Sequence, residues 1–185
     1  MNPKANQEDT ENIGEQIYSF ASEIFPISRS LTGDGVRKTL KRIQKDLPDL
    51  KINEMPSGTK VFDWEVPDEW NIRDAYILDP NGNKIADFKK NNLHVLGYST
   101  PIDKTLSLAE LDKHLYSLPE LPNAIPYMTS YYEKRWGFCL KHSERVNLEP
   151  GNYKVHIDST LEPGSMTYAE LLIPSTMGNK KEILL

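Results

Sequence analysis

Residues 79–82 read Asp-Pro-Asn-Gly. Proline fixes φ for the first half of a tight turn, and glycine takes a positive φ at no steric cost. The flanking segments, "NIRDAYIL" and "KIADF", are apolar and β-branched enough to be strands, so a β-hairpin is predicted here. A second constraint lies further on. Tyr153, Val155 and Ile157 alternate with Lys154, His156 and Asp158, the pattern of a strand with one buried face. Thirteen prolines against ten glycines then divide the chain into many short, fixed segments.

Around this β section the elements are predicted in order. Residues 1–10 are polar and expected to be disordered. Ile13, Ile17, Phe20, Ala21 and Ile24 recur at helical spacing up to Pro26. After the loop "SRSLTGDG", Asp34 is expected to cap a second helix with Val36, Leu40, Ile43 and Leu47 on one face, ended by Pro48. Strands are predicted near residues 50–55, over "TKVFDWEV", over "LHVLGYS" and over "RWGFCLK". Ser107 with Glu110 three residues on is a reciprocal capping pair for a helix carrying Leu108, Leu111, Leu115 and Leu118. "LEPGS" is expected to turn the chain into a hairpin between the strand at 153–158 and "MTYAELLI". There is no internal repeat and no low-complexity tract. The closing "NKKEILL" reads as a turn followed by the start of a buried strand.

Charge excludes some partners. The 185 residues carry a net charge of -5 with no dominant basic patch, which argues against nucleic acid and anionic membranes. No run approaches the ~20 apolar residues of a membrane span. The N-terminus lacks the apolar core of a signal peptide. The single cysteine, Cys139, cannot form an internal disulfide. A cytoplasmic protein is expected.

Motifs for chemistry are sparse. His94, His114, His142 and His156 stand in no H-E-x-x-H or C-x-x-C arrangement. His156 and Asp158 share a strand face and can be a ligand pair, though a solvated polar face is the plainer reading. His94 faces away from Leu93 and Val95. It is either a hydrogen-bonded structural side chain or a donor to substrate. "TSYYEKRWGFC" is the densest aromatic stretch. Its Tyr131, Tyr132 and Arg135 are candidate recognition residues, against the plainer role of sealing a small core. "LTGDGV" opens a helix whose backbone N–H groups can hold an anion, but it matches no phosphate loop and Asp34 opposes one. No nucleophile elbow is present, and Cys139 between Phe138 and Leu140 reads as a buried small hydrophobe. Substrate-binding candidates are therefore His94, Tyr131, Tyr132 and Arg135. No catalytic or metal-binding residue is assigned.

The segments "FPISRSLTGDGVRKTL", "PSGTKVFDWEVPDEWNIRDAYI", "NLHVLGYSTP", "IPYMTSYYEKRWGFCL" and "YKVHIDSTLEPGSMTYAELLIP" resemble, in this order, the N-terminal part of a bacterial family. This is the aminopeptidase-like DUF4910/DUF2172 family, whose members are often found with polysaccharide-biosynthesis genes. The resemblance implies an α/β, M28-type zinc-peptidase fold: a mixed sheet with helices, interrupted by a small β-rich inserted domain. Residues 1–60 would be the first peptidase helices and strand, 61–148 the insert, and 149–185 a return to the peptidase sheet. The insert is expected to be capable of folding by itself. In the family, the strand matching "EILL" runs into a histidine motif, broadly S-T-H-x-C-H-P, that supplies the first zinc ligand. None of those positions is present, so the resemblance implies a chain cut short of its metal site, inactive as it stands and binding no zinc. The intact protein would act on a peptide or modified-sugar-linked substrate. The fragment would associate through an exposed sheet edge or as a homo-oligomer. The rival expectation is a non-catalytic module that binds a peptide, a glycan or a protein.

Overall fold

A computed structural model describes residues 7–174. Helix α1 (Gln7–Ile24) stops before Pro26, as the missing proline N–H and its restriction on the preceding residue require. Its first turn includes residues 7–10, which the sequence placed in a disordered tail. Helix α2 (Asp34–Asp46) begins differently from expectation. Asp34 does not cap it. Gly33 takes the cap position at φ 93°, and the Asp34 amide donates to Asn71 Oδ1 at 2.7 Å. The cap is supplied by a strand 37 residues away.

Strand β1 (Lys51–Pro56) is followed by β2 (Lys60–Val61), β3 (Trp64–Glu65), β4 (Glu69–Leu78) and β5 (Lys84–Asp87). The β4–β5 hairpin closes over Asp79–Gly82 as predicted, with Tyr76 opposite Asp87 and Ile77 opposite Ala86. "TKVFDWEV" is not one strand but the tight β2–β3 hairpin. It reverses at Phe62, which adopts φ 56°. "LHVLGYS" is likewise not a strand: Asn92–His94 form a 3-10 turn capped by Asn91, and Tyr98 breaks extension at φ 65°.

β6 (Ile102–Ser107) leads into α3 (Leu108–Leu111), where both hydrogen bonds of the Ser107–Glu110 capping box are present. That helix is only one turn long. Leu115 leaves it for β7 (Leu115–Tyr116), which pairs in parallel with β8 (Phe138–Cys139). The short α4 (His142–Arg145) follows, then β9 (Asn152–Glu162) and β10 (Ser165–Glu170).

The main sheet has the order β5-β4-β9-β6, all antiparallel. On β9 the predicted alternation holds: Tyr153, Val155 and Ile157 are buried. They pack with Ala75, Ile77, Leu111, Leu115, Phe138 and Leu140 in one apolar layer. The opposite face is polar. There His156 bonds Asp103 at 3.1 Å, and Asp158 pairs with Arg73. The His156–Asp158 ligand pair is therefore divided between two other partners.

The expected β9–β10 hairpin does not form. Beyond Pro163, β10 leaves the main sheet and pairs with β1, Lys51 opposite Glu170 and Pro56 opposite Ser165. The chain passes from the main sheet to the β1–β10 pair at Pro163–Gly164. β9 supplies hydrogen bonds to both β4 and β6, so it belongs with the β section expected to end before it. The predicted strand at Glu182–Leu185, and with it the expected break inside a sheet, lies outside the described residues.

Candidate binding cleft

Trp70, on β4, is 5% exposed. Its indole donates to Ser99 O at 2.9 Å, and its ring stacks on Tyr98 at 5.6 Å. Thr32, in the loop before α2, fills the space beside them. Its hydroxyl lies 2.7 Å from Tyr98 Oη and accepts from the Trp70 backbone N–H at 3.0 Å. Burial pushes the Tyr98 phenol up, partly offset by the Thr32 hydrogen bond.

From Tyr98 an aromatic series runs to the surface. Tyr131 meets the Tyr98 ring edge-on at 5.1 Å, and Tyr132 meets Tyr131 edge-on at 5.8 Å. The Trp64 indole N–H then donates to Tyr132 Oη at 3.0 Å. Edge-to-face pairs of this kind add to the burial energy and fix ring planes. The inner end is buried and the outer end open: Tyr132 is 76% exposed. Between the β2–β3 hairpin and the 131–134 loop lies an open cleft of about 510 Å³. Trp64, Tyr131 and Tyr132 line it, with Pro67, Leu161 and Pro163 as its apolar floor.

The structure therefore brings Tyr131 and Tyr132 together and leaves the other two candidates apart. His94 Nδ1 is 2.9 Å from Cys139 O, the hydrogen-bonded arrangement of a structural side chain. Arg135 shapes the loop: its Nε donates to Ser130 Oγ at 3.1 Å, and its backbone N–H donates to Glu133 O. Trp64, which completes the aromatic wall, escaped the sequence reading. It is 68 residues from Tyr132, and no local pattern marks it.

A second cleft, about 600 Å³, lies where the loop before α2 crosses β4. Ser28, Ser30, Thr32, Asp34 and Lys38 line it with Asn71 and Arg73. The glycines of "LTGDG" have a steric purpose here. A Cβ at Gly35 would stand 1.7 Å from Ser28 O, and one at Gly33 would stand 2.1 Å from Trp70 O. The region is held by Arg37, whose guanidinium donates to both Glu69 oxygens at 2.7 and 2.5 Å and to Ser165 Oγ at 3.0 Å. These hydrogen bonds from Arg37, aided by the Ser165 backbone N–H and Asn71, push the Glu69 carboxyl down to about 2.

Among the described residues, no group of three or more His, Cys, Asp or Glu side chains is placed to hold a metal ion. The donors of a zinc site do not converge. His114 Nδ1 faces Trp136 O, and His142 Nδ1 faces Ser117 Oγ. Burial pushes the Cys139 thiol up to about 12, so it is protonated at neutral pH and a poor ligand or nucleophile. No helix among the described residues is long and apolar enough to cross a membrane.

Mixed α/β architecture with a β-rich central sheet defines the class, and comparison names it. Residues 69–160 match DUF2172, a domain of unknown function. Over these residues the chain belongs to the DUF2172 family. The match begins at the first residue of β4 and ends within β9, so it takes in the four strands of the main sheet. A Clostridium acetobutylicum protein, provisionally named a polysaccharide biosynthesis protein with aminopeptidase-like domain, is 49% identical over 178 residues. That alignment takes in 96% of this chain and 40% of the relative. A crystal structure from the same organism, provisionally described as a peptidase, matches with a TM-score of 0.83 at 51% identity. It covers 88% of this chain and 38% of that one. The chain thus spans well under half the length of the relatives it matches.

Proposed function

We propose that this chain forms the N-terminal part of a cytoplasmic zinc aminopeptidase-like hydrolase and binds substrate rather than cleaving it. What carries the reading is the likeness to two provisionally named proteins: 49% identity across nearly the whole chain, and a TM-score of 0.83. The described residues do not fit a zinc ion, so no chemical step is derived through one. In this reading the metal ligands lie in the part of the longer relatives that this chain does not match. The chain's own contribution is a rigid frame, the Trp70–Tyr98–Thr32 junction, presenting Tyr131 and Tyr132 to a peptide or sugar-linked peptide. The outward face of α1, with Ile13 52% and Ile17 64% exposed, is the surface offered to the rest of the hydrolase or to a second copy.

A chimera tests this. These residues replace the matching 178 residues of the C. acetobutylicum relative, and zinc content and aminoacyl-anilide hydrolysis are measured beside the parent. Stoichiometric zinc and hydrolysis comparable to the parent's are expected. A folded chimera without zinc, or a parent that binds zinc yet hydrolyses no aminoacyl substrate, would overturn the reading.

A further inference from the structure

The cleft at Trp64 and Tyr132, offered above to a peptide, has a chemistry that narrows which peptide it takes. Its residues are unusually one-sided in charge. Asp63, Glu65 and Asp68 line it with Glu133, whose carboxylate also pairs with Arg135 at 3.4 Å, and Lys134 is the one cation among the described lining residues. The aromatic faces lie among these carboxylates: Tyr132 is 76% exposed, and Trp64 is partly so. The hairpin that presents Trp64 also bears Phe62, which is fully exposed at 103% and held at φ 56°. A bulky side chain in that region of φ is strained, and such strain concentrates at recognition sites.

The donor and acceptor count narrows the ligand. Carboxylates only accept, and the Trp64 N–H is already donated to Tyr132. The cleft keeps some donors, among them the Tyr132 hydroxyl and the Lys134 ammonium, but its carboxylate acceptors carry full charge, which a cation matches and a neutral glycan does not. A guanidinium brings five N–H donors and a flat face that stacks on tyrosine or tryptophan. We propose that the Trp64–Tyr132 cleft binds an arginine-bearing peptide segment, the guanidinium lying against the aromatic wall with its N–H groups on the acidic rim. The proposal deepens the reading above, which presents the same Tyr131 and Tyr132 to a peptide, but it is tested by binding alone, so its failure is distinguishable from a failure of the zinc and hydrolysis test.

The probe is an acetylated, amidated pentapeptide with two arginines, titrated into the 185-residue chain by calorimetry. Its citrulline isostere, which keeps shape and loses charge, is run in parallel. Saturable binding is expected, about tenfold weaker for citrulline and weaker again on raising salt to roughly 0.3 M. Tyr132→Ala removes an exposed ring without touching the core and is expected to weaken binding about tenfold. Glu133→Gln combined with Asp63→Asn tests the rim, with a loss of about fivefold expected. Circular dichroism on each variant separates lost binding from lost fold. No saturable binding to the folded wild type, equal affinity for the citrulline peptide, or binding of a glucosamine oligomer in place of the peptide would each overturn the proposal.

Discussion

Thr32 shows how much can rest on one hydroxyl. It is 1% exposed, and it answers two buried polar groups at once, Tyr98 Oη and the Trp70 N–H. Thr32→Val keeps the shape and removes both bonds, leaving the Trp70 N–H unpaired and Tyr98 Oη short of one partner. The expected loss is about 2–3 kcal/mol in urea unfolding, whereas Thr32→Ser, which loses only a methyl, should cost about 1 kcal/mol. Adding Tyr98→Phe to Thr32→Val should recover part of the loss, since it removes the hydroxyl left short of a partner. A Thr32→Val protein as stable as wild type would mean that the hydroxyl does not hold this junction.

At the scale of elements, Arg37 and Glu69 tie α2 to β4, and through Ser165 to the start of β10. Glu69 is well enclosed, its side chain 14% exposed. Because folding lowers its pKa, the ionised form favours the folded state. The contribution is complete above the ordinary carboxylate range, near ~4.3. It is lost as pH falls through that range toward about 2. The size is about 3 kcal/mol. Acid titration followed by tryptophan fluorescence should show the α2–β4 junction loosening across this window. Arg37→Met should raise the Glu69 carboxyl and flatten the dependence between pH ~4 and ~2. Unchanged acid stability in that variant would show that the pair does not govern it.

At the scale of the molecule, the placement of β9 decides which section can stand alone. It is one of the two central strands, bonded along most of its length to β4 and over half of it to β6. Residues 59–148 therefore lack the strand that joins the two halves of the sheet, along with Tyr153, Val155 and Ile157 of the core. That fragment is expected to give a collapsed amide spectrum by NMR, and residues 59–163 a dispersed one. Dispersion in the shorter fragment would mean that β9 is dispensable and that the section ending at residue 148 folds as a unit.

The sequence alone determined what depends on near neighbours. The Asp79–Gly82 turn, the Ser107–Glu110 capping box, the Pro26 stop and the alternation along β9 are all set by residues within a few positions of one another. So was the burial of Cys139. Its ordered aromatic and glycine-bearing segments also carried the family. Tertiary structure alone decided the rest, because the partners are far apart in the chain. Asn71 caps α2, β10 chooses β1 over the adjacent β9, and Trp64 meets Tyr132 across 68 residues. Pattern reveals which face of a strand is apolar but not which strand it pairs with. Pairing is settled by how the whole set of apolar faces closes, and the cleft exists only where that closure leaves two loops side by side.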